Sequence, residues 1–263
     1  MSLLPAERPH WLRLLAPSGL CQVCQTWQRQ PICAECIALF GAPRLRCARC
    51  ALALPAGVAA HVGARFDSLS ADLPLCADCR RESPPQIAAV AAFDYVHPWS
   101  GLLGRLKFHD AVELARPLAQ ALAAAVAARQ AADQRLPAAD LVLPVPLAQG
   151  RLRERGYNQA WELARRVARR LGVRAEAALL ERLRETPHQL VLPRVARHAN
   201  VRAAFVLAPG AARHLTGRQL AVVDDVMTTG ATLAEVGRTL LRGGAASVQC
   251  WVVARTPLDD DPQ

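Results

Sequence analysis

Residues 220–236, "LAVVDDVMTTGATLAEV", carry the plainest structural pattern in the chain. The first four, Leu220 to Val223, form an apolar run suited to a strand buried on both faces. After it, Leu233, Val236 and Leu240 recur at helical spacing. The polar cluster between them, Asp224, Asp225, Thr228, Thr229, Gly230 and Thr232, reads as a strand-to-helix turn.

Working outward, the same alternation repeats. "IAAVAAFDY" (87–95) and "DLVLPVP" (140–146) read as strands, and "VQCWVVA" (248–254) as a final one. Between them Leu114, Leu118, Leu122 and Val126 line one helix face. Ala160, Leu163, Ala164, Val167, Ala168 and Leu171 line another, whose outer face carries Arg165, Arg166, Arg169 and Arg170. Alternating strands and helices predict a parallel sheet flanked by helices, with ligands beyond the carboxyl ends of the strands. The acidic turn lies at such an end.

The N-terminal part is different. It is loop-rich, closes with "RRESPPQ", and carries eight of the nine cysteines as four CxxC units: Cys21/Cys24, Cys33/Cys36, Cys47/Cys50 and Cys76/Cys79. Two domains are therefore expected, 1–85 and 86–263. A CxxC turn places two sulfurs on one side of a knuckle, and two knuckles complete a tetrahedral zinc site, so the eight cysteines predict two structural zinc ions. Sequential pairing, first unit with second and third with fourth, is the simplest; cross-bracing is the alternative. A redox CxxC comes singly at the head of a helix, unlike these pairs. Iron–sulfur ligation uses the same thiolates, and spacing does not separate it from zinc. His61 is unneeded where four thiolates per site are available, and Cys250 reads as a core cysteine in a strand.

Half the residues are apolar and the formal net charge is +10, with Lys107 the only lysine among 32 basic residues. Residues 149–202 hold 13 Arg against five Glu and no Asp, a surplus of eight positive charges. Such a concentration predicts a polyanionic partner, nucleic acid or a phosphorylated small molecule. The start has no signal-peptide core of roughly 7–15 apolar residues, and no stretch reaches the roughly 18 of a membrane span. A cytoplasmic protein without membrane insertion, its thiols reduced, is expected.

The turn itself narrows the partner. A receiver domain also ends a strand in an acidic pair but continues for about a hundred residues, where 38 follow Asp225. A P-loop needs a lysine after its glycine, which "TTGAT" lacks. Backbone N–H groups at a helix N-terminus, with hydroxyls and a glycine beside them, suit one phosphate. Carboxylates repel phosphate but suit vicinal hydroxyls. A phosphate with an adjacent diol describes a ribose 5-phosphate.

On these residues "VVDDVMTTGATL" resembles the phosphoribosyl pyrophosphate (PRPP) motif of type I phosphoribosyltransferases. With "PVPLAQGRLRERGYNQA" (144–160), "RLRETPHQ" (182–189), "RHANVRAAF" (197–205) and the N-terminal CxxC pairs, nearly the whole chain resembles the ComF/GntX family of phosphoribosyltransferase-like proteins. The resemblance implies a type I phosphoribosyltransferase-like sheet behind a double zinc-ribbon module, and a link to DNA uptake in natural transformation, with competence-machinery proteins as partners. It implies ribose hydroxyls on Asp224 and Asp225 and the 5-phosphate on Thr228, Thr229, Gly230, Ala231 and Thr232. Pyrophosphate, bridged by Mg²⁺, would lie near Val145 and Pro146 with Arg151 and Arg155 in reach. Residues 181–204, with Thr186, Gln189, Arg197 and Asn200, suggest a loop closing over it. Lys107, in "GRLKFHD", matches a lysine-containing stretch of the family and joins Asp224 and Asp225 as a catalytic candidate.

Two functions follow as expectations. One is a PRPP-binding accessory protein holding single-stranded DNA on its arginine-rich surface, where Trp99, Phe108, Tyr157 and Trp161 offer stacking faces. The other is a phosphoribosyltransferase delivering ribose 5-phosphate to a nitrogen acceptor. The tail "RTPLDDDPQ" is too short and polar for an acceptor-binding hood, so a pocket would come from residues 97–110 or from the Cys-rich module.

Overall fold

A computed structural model describes residues 19–55, 73–183 and 203–258. The N-terminal part is small and irregular: β1 (Gly19–Leu20) pairs with β2 (Trp27–Gln28), followed by α1 (Ala34–Phe40) and α2 (Ala77–Arg81). Next come β3 (Ala88–Asp94), α3 (Trp99–Phe108), a 3-10 turn (Val112–Leu114), α4 (Ala115–Ala132), β4 (Leu141–Pro144), α5 (Gln149–Arg155), α6 (Gln159–Leu171), β5 (Arg174–Ala175) and β6 (Leu180–Arg182). The chain closes with β7 (Phe205–Leu207), α7 (Ala212–Leu215), β8 (Gln219–Met227), α8 (Ala231–Arg242) and β9 (Ser247–Arg255).

Five strands form one parallel sheet in the order β3-β9-β8-β4-β5. The central strands read as unbroken apolar runs because helices cover both faces. Within β8 the side chains alternate: Ala221 and Val223 pack with α4 and α6 residues such as Leu118, Leu122, Leu163 and Val167. Leu220 and Val222 face the other way, toward Leu233, Val236 and Leu240 of α8. Each fully buried Leu or Val contributes about 1.5–3 kcal/mol relative to exposure, so this two-sided burial holds the strand ends in place. The helix α6 is delimited by its own sequence. The Asn158 side chain caps its N-terminus by accepting from Ala160 N and Trp161 N, and Gly172 (φ 70°) ends it.

The expected elements are present, with one informative shift. The strand carrying Asp224 and Asp225 does not stop at Val223; it runs to Met227, which stands opposite Arg255 of β9. The carboxylates therefore belong to the strand end, and the turn proper is Thr228–Gly230. Ladder hydrogen bonds come from the backbone, so a polar side chain facing out of a sheet does not interrupt them. Residues 180–207 begin and end as an antiparallel pair, β6 with β7, in which Arg182 stands opposite Phe205. Thr186, Gln189, Arg197 and Asn200, like His61, lie outside the described residues.

The Cys-rich part is packed onto this sheet. Ile32, Cys33 and Cys36 share one core with Phe93, Trp99 and Leu103. Ala51 joins the opposite core beside Ala89 and Ala91, and Ala89 N donates to Ala48 O at 3.0 Å. Trp99, expected as a stacking face, is instead 1 % exposed. Its ring stacks on Phe93 with centroids 3.6 Å apart, and its Nε1 donates to Phe40 O at 2.8 Å. A large apolar ring with one donor is best satisfied between these partners. Phe108, at 61 % exposure, does face solvent. No helix among the described residues is long and apolar enough to cross a membrane.

Candidate functional site

The eight N-terminal cysteines gather into two clusters, Cys21/Cys24/Cys33/Cys36 and Cys47/Cys50/Cys76/Cys79, so the pairing is sequential and not cross-braced. In each cluster all four sulfurs lie within 4.8 Å of one another. Zinc with Zn–S bonds of about 2.3 Å requires tetrahedral edges of about 3.8 Å. Cys21 to Cys36 is 3.9 Å, Cys24 to Cys33 is 3.8 Å and Cys50 to Cys76 is 3.6 Å, so both clusters fit a tetrahedral thiolate metal. Hydrogen bonding with Thr26 holds the Cys24 thiol down to about 6 and interaction with Cys50 holds Cys47 down to about 4, whereas burial pushes Cys33, Cys36 and Cys79 up and the bond with Cys47 pushes Cys50 up, so negative charge is shared unevenly in each cluster.

The second centre lies at the carboxyl ends of β8, β4 and β3. Asp225 is buried, and Lys107 Nζ, from the last turn of α3, lies 2.6 Å from its Oδ2. Burial, the largest single influence, pushes the Asp225 carboxyl upward, but the Lys107 charge, hydrogen bonds with Asp224 and Lys107, and Gln159 together hold it below its ordinary value. Burial likewise opposes the Lys107 charge, and Asp225 overrides it, so the lysine stays protonated. Asp224 behaves differently. Burial first and the neighbouring Asp225 charge second push its carboxyl well above the usual carboxylate range. Its Oδ1 accepts from Asp225 N at 2.8 Å. In the ligand-free protein the two adjacent aspartates are thus shifted in opposite directions.

Immediately after, Thr228–Gly230 turn into α8. Gly230 caps the helix with φ 82°, a left-handed conformation that costs other residues about 1–2 kcal/mol. The Thr229 hydroxyl accepts from Ala231 N at 3.4 Å. A twelve-residue helix opening on such a turn presents unsatisfied N–H groups and a positive dipole end, an arrangement that suits an anion.

Since β4 pairs with β8 in parallel, Pro144 opposite Val223, the loop that follows β4 lies beside the carboxylates. Val145 N donates to Val223 O at 2.9 Å, and the Asn158 side chain donates to Val145 O at 3.0 Å. Val145 and Pro146 are buried, and Arg151 and Arg155 are on the short helix α5 directly beyond them. The Arg155 guanidinium donates to Gln159 Oε1 and stands 5.2 Å from the centre of the Phe108 ring. Tyr157 donates its hydroxyl to Leu106 O, tying this loop to α3. Asp224, Asp225, Lys107, Thr228–Thr232 and Val145/Pro146 are therefore brought to one end of the sheet.

Three contributors are not apparent from sequence patterns. Asn158 and Gln159 sit at a helix start that periodicity alone reads as ordinary. Arg255, taken as lying beyond the last strand, is its final residue and is buried, bonded to the carbonyl oxygens of Met227, Thr228, Thr256 and Cys50. A charge closing an unbroken apolar run is the sequence signal for it.

Several known proteins are similar to this chain. Residues 158–262 match the phosphoribosyl transferase domain family model. The chain is 34 % identical over 250 residues to the DNA utilization protein YhgH of Escherichia coli O6:H1, covering 92 % of this chain and 100 % of that protein. It is 35 % identical over 181 residues to Competence protein F of Haemophilus influenzae, covering 68 % and 78 %. Among solved structures, TT1426 from Thermus thermophilus matches 56 % of this chain and 86 % of its own at 20 % identity, with a TM-score of 0.32.

Proposed function

From the chain's membership of the ComF/GntX family of phosphoribosyltransferase-like proteins, we propose that it is a PRPP-binding accessory protein of DNA uptake or utilisation that handles single-stranded DNA. The observation that carries the PRPP reading is the junction of β8 and α8, where a carboxylate pair and a helix N-terminus stand within one continuous stretch, 224–232. The turn Thr228–Thr232 takes the 5-phosphate. Asp224 accepts from the ribose hydroxyls, since Asp225 is already engaged by Lys107. Val145, Pro146, Arg151 and Arg155 face the pyrophosphate, and Gln189, Arg197 and Asn200 are proposed to close over it.

Asp224, as a hard oxygen donor, would help hold Mg²⁺ here, and the cation would supply neutralisation of pyrophosphate charge. Zinc fits the two thiolate clusters and supplies folding energy to residues 1–85 as a brace for 86–263. The single-stranded DNA reading rests on the basic surface. Arg169 and Arg170 are exposed at the end of α6, whereas Arg165 and Arg166 are drawn to Glu162.

The second reading, transfer of ribose 5-phosphate to a nitrogen acceptor, is favoured by one observation: Lys107 reaches the carboxylate pair from α3, within residues 97–110. The lysine would hold Asp225 ionised beside the positive charge that develops at the ribose C1 as pyrophosphate leaves. Titrating PRPP with Mg²⁺, with and without single-stranded DNA, tests the first reading; binding of both is expected, and no PRPP binding overturns it. Pyrophosphate release across a panel of bases and amines tests the second, and release with any acceptor would make the chain an enzyme.

A further inference from the structure

The second cysteine cluster is joined to the candidate anion turn through one buried side chain. Arg255 is 4 % exposed. Its Nε donates to Cys50 O at 3.0 Å, and its Nη1 donates to Met227 O at 3.2 Å, to Thr256 O at 2.8 Å and to Thr228 O. Cys50 is a member of the second cluster, and Thr228 opens the turn into α8. A buried guanidinium is costly unless its donors are met, and here main-chain carbonyls from both sides meet those on Nε and Nη1.

The knuckle that presents Cys50 is itself fixed to the sheet. Ala51 N donates to Cys47 O at 2.8 Å, with Ala51 in a left-handed conformation (φ 56°). The Gln86 side chain donates to Arg49 O at 3.0 Å, and the Arg49 side chain returns a bond to Gln86 O at 3.2 Å. A metal held by Cys47, Cys50, Cys76 and Cys79 would set where the Cys50 carbonyl points. Arg255 would pass that constraint on to Met227 and Thr228. The first cluster packs instead beside Phe93 and Trp99, at the α3 side.

We propose that Arg255 is a positioning residue through which metal at the second cluster, and not at the first, rigidifies the 227–230 turn and places a fixed positive charge behind it. In so far as that turn receives a phosphate, the inference rests on the PRPP reading. The planar fork of arginine is required, because an ammonium cannot reach carbonyls on opposite sides at once.

Hydrogen exchange of the ligand-free protein tests the coupling directly. The reporters are Thr256 N, bonded to Met227 O, and Ala234 N, bonded to Gly230 O. Arg255→Gln and Cys79→Ser are expected to speed exchange at both amides by about tenfold or more, the scale set by losing charge-assisted hydrogen bonds. Arg255→Lys recovers only part, and Cys36→Ser leaves both amides near the wild-type rate. Equal acceleration by Cys36→Ser and Cys79→Ser, or no acceleration in Arg255→Gln, overturns the proposal.

Should a variant fail to fold, graded chelation of wild-type protein, with alkylation mapping of the cluster that has emptied, reads the same coupling. Loss of metal from the second cluster with unchanged exchange then overturns it. Ribose 5-phosphate affinity, expected to fall about tenfold in Arg255→Gln, separates the two readings. Coupled exchange in a protein that binds no PRPP removes the PRPP reading alone, whereas PRPP binding without coupled exchange removes this one.

Discussion

At the residue scale the site turns on how one ion pair divides two neighbouring aspartates. Lys107 retains about a fifth of its side-chain exposure and Asp225 almost none. Removing one partner of a buried pair typically costs about 3–5 kcal/mol, and the exposure of Lys107 places Lys107→Ala near the lower end. Urea unfolding is expected to show a loss of about 3 kcal/mol, part of which returns in Lys107→Met/Asp225→Asn. A full-sized loss that persists in the double variant would mean that packing, not charge, is responsible.

The same division sets pH dependence. Asp225 is depressed in the folded protein, so its contribution is present above the unfolded-state value and is lost as pH falls through the folded one. Asp224 is raised, so its contribution is complete below the unfolded-state value and is lost as pH rises through the folded one. The two contributions are therefore jointly greatest near their shared unfolded-state value, and Asp224→Asn should remove the part of the decline in heat stability above it that Asp224 causes. A decline of the same size in Asp224→Asn assigns it to another group.

At the scale of elements, the strand-to-helix junction is the unit that works. Gly230→Ala keeps ordinary van der Waals space, the added carbon meeting Met227 Sδ at 3.7 Å, but forces alanine into φ 82°. Destabilisation of about 1–2 kcal/mol by denaturant unfolding is expected, with weaker phosphate binding because the turn shifts; unchanged stability would mean that the turn relaxes at no cost. This junction was legible in the sequence because an apolar run, a polar cluster and a helical period follow each other without interruption. The strand's true end was not, since apolar patterning stops at Val223 while backbone pairing continues to Met227. For Arg255 the sequence offers only a charge closing an apolar run; the carbonyls that satisfy it come from residues far apart in the chain.

At the scale of the whole molecule, two faces carry different duties. The cysteine knuckles were legible from spacing, because a CxxC turn constrains its own geometry, but the choice of sequential pairing over cross-bracing rests on where the sulfurs lie. Their packing onto both cores was not, because short irregular segments carry no periodic signal. Elemental analysis should find two zinc ions per chain, and a content of one or none contradicts the metal assignment. The arginine surface makes a separate claim. If single-stranded DNA lies along the end of α6, Arg169→Ala/Arg170→Ala should lower affinity for all sequences alike. It should also reduce the slope of log affinity against log salt by up to about 1.4, at about 0.7 per phosphate contact. An unchanged slope places the DNA elsewhere.

Binding of PRPP by residues 224–232 can be measured by calorimetric titration of PRPP with Mg²⁺ into wild-type protein and into Asp224→Asn. Saturable one-to-one binding to wild type is expected, with a loss of about tenfold or more in Asp224→Asn, the scale of one hydrogen bond to the ribose. Equal affinity in the two proteins contradicts binding by these residues.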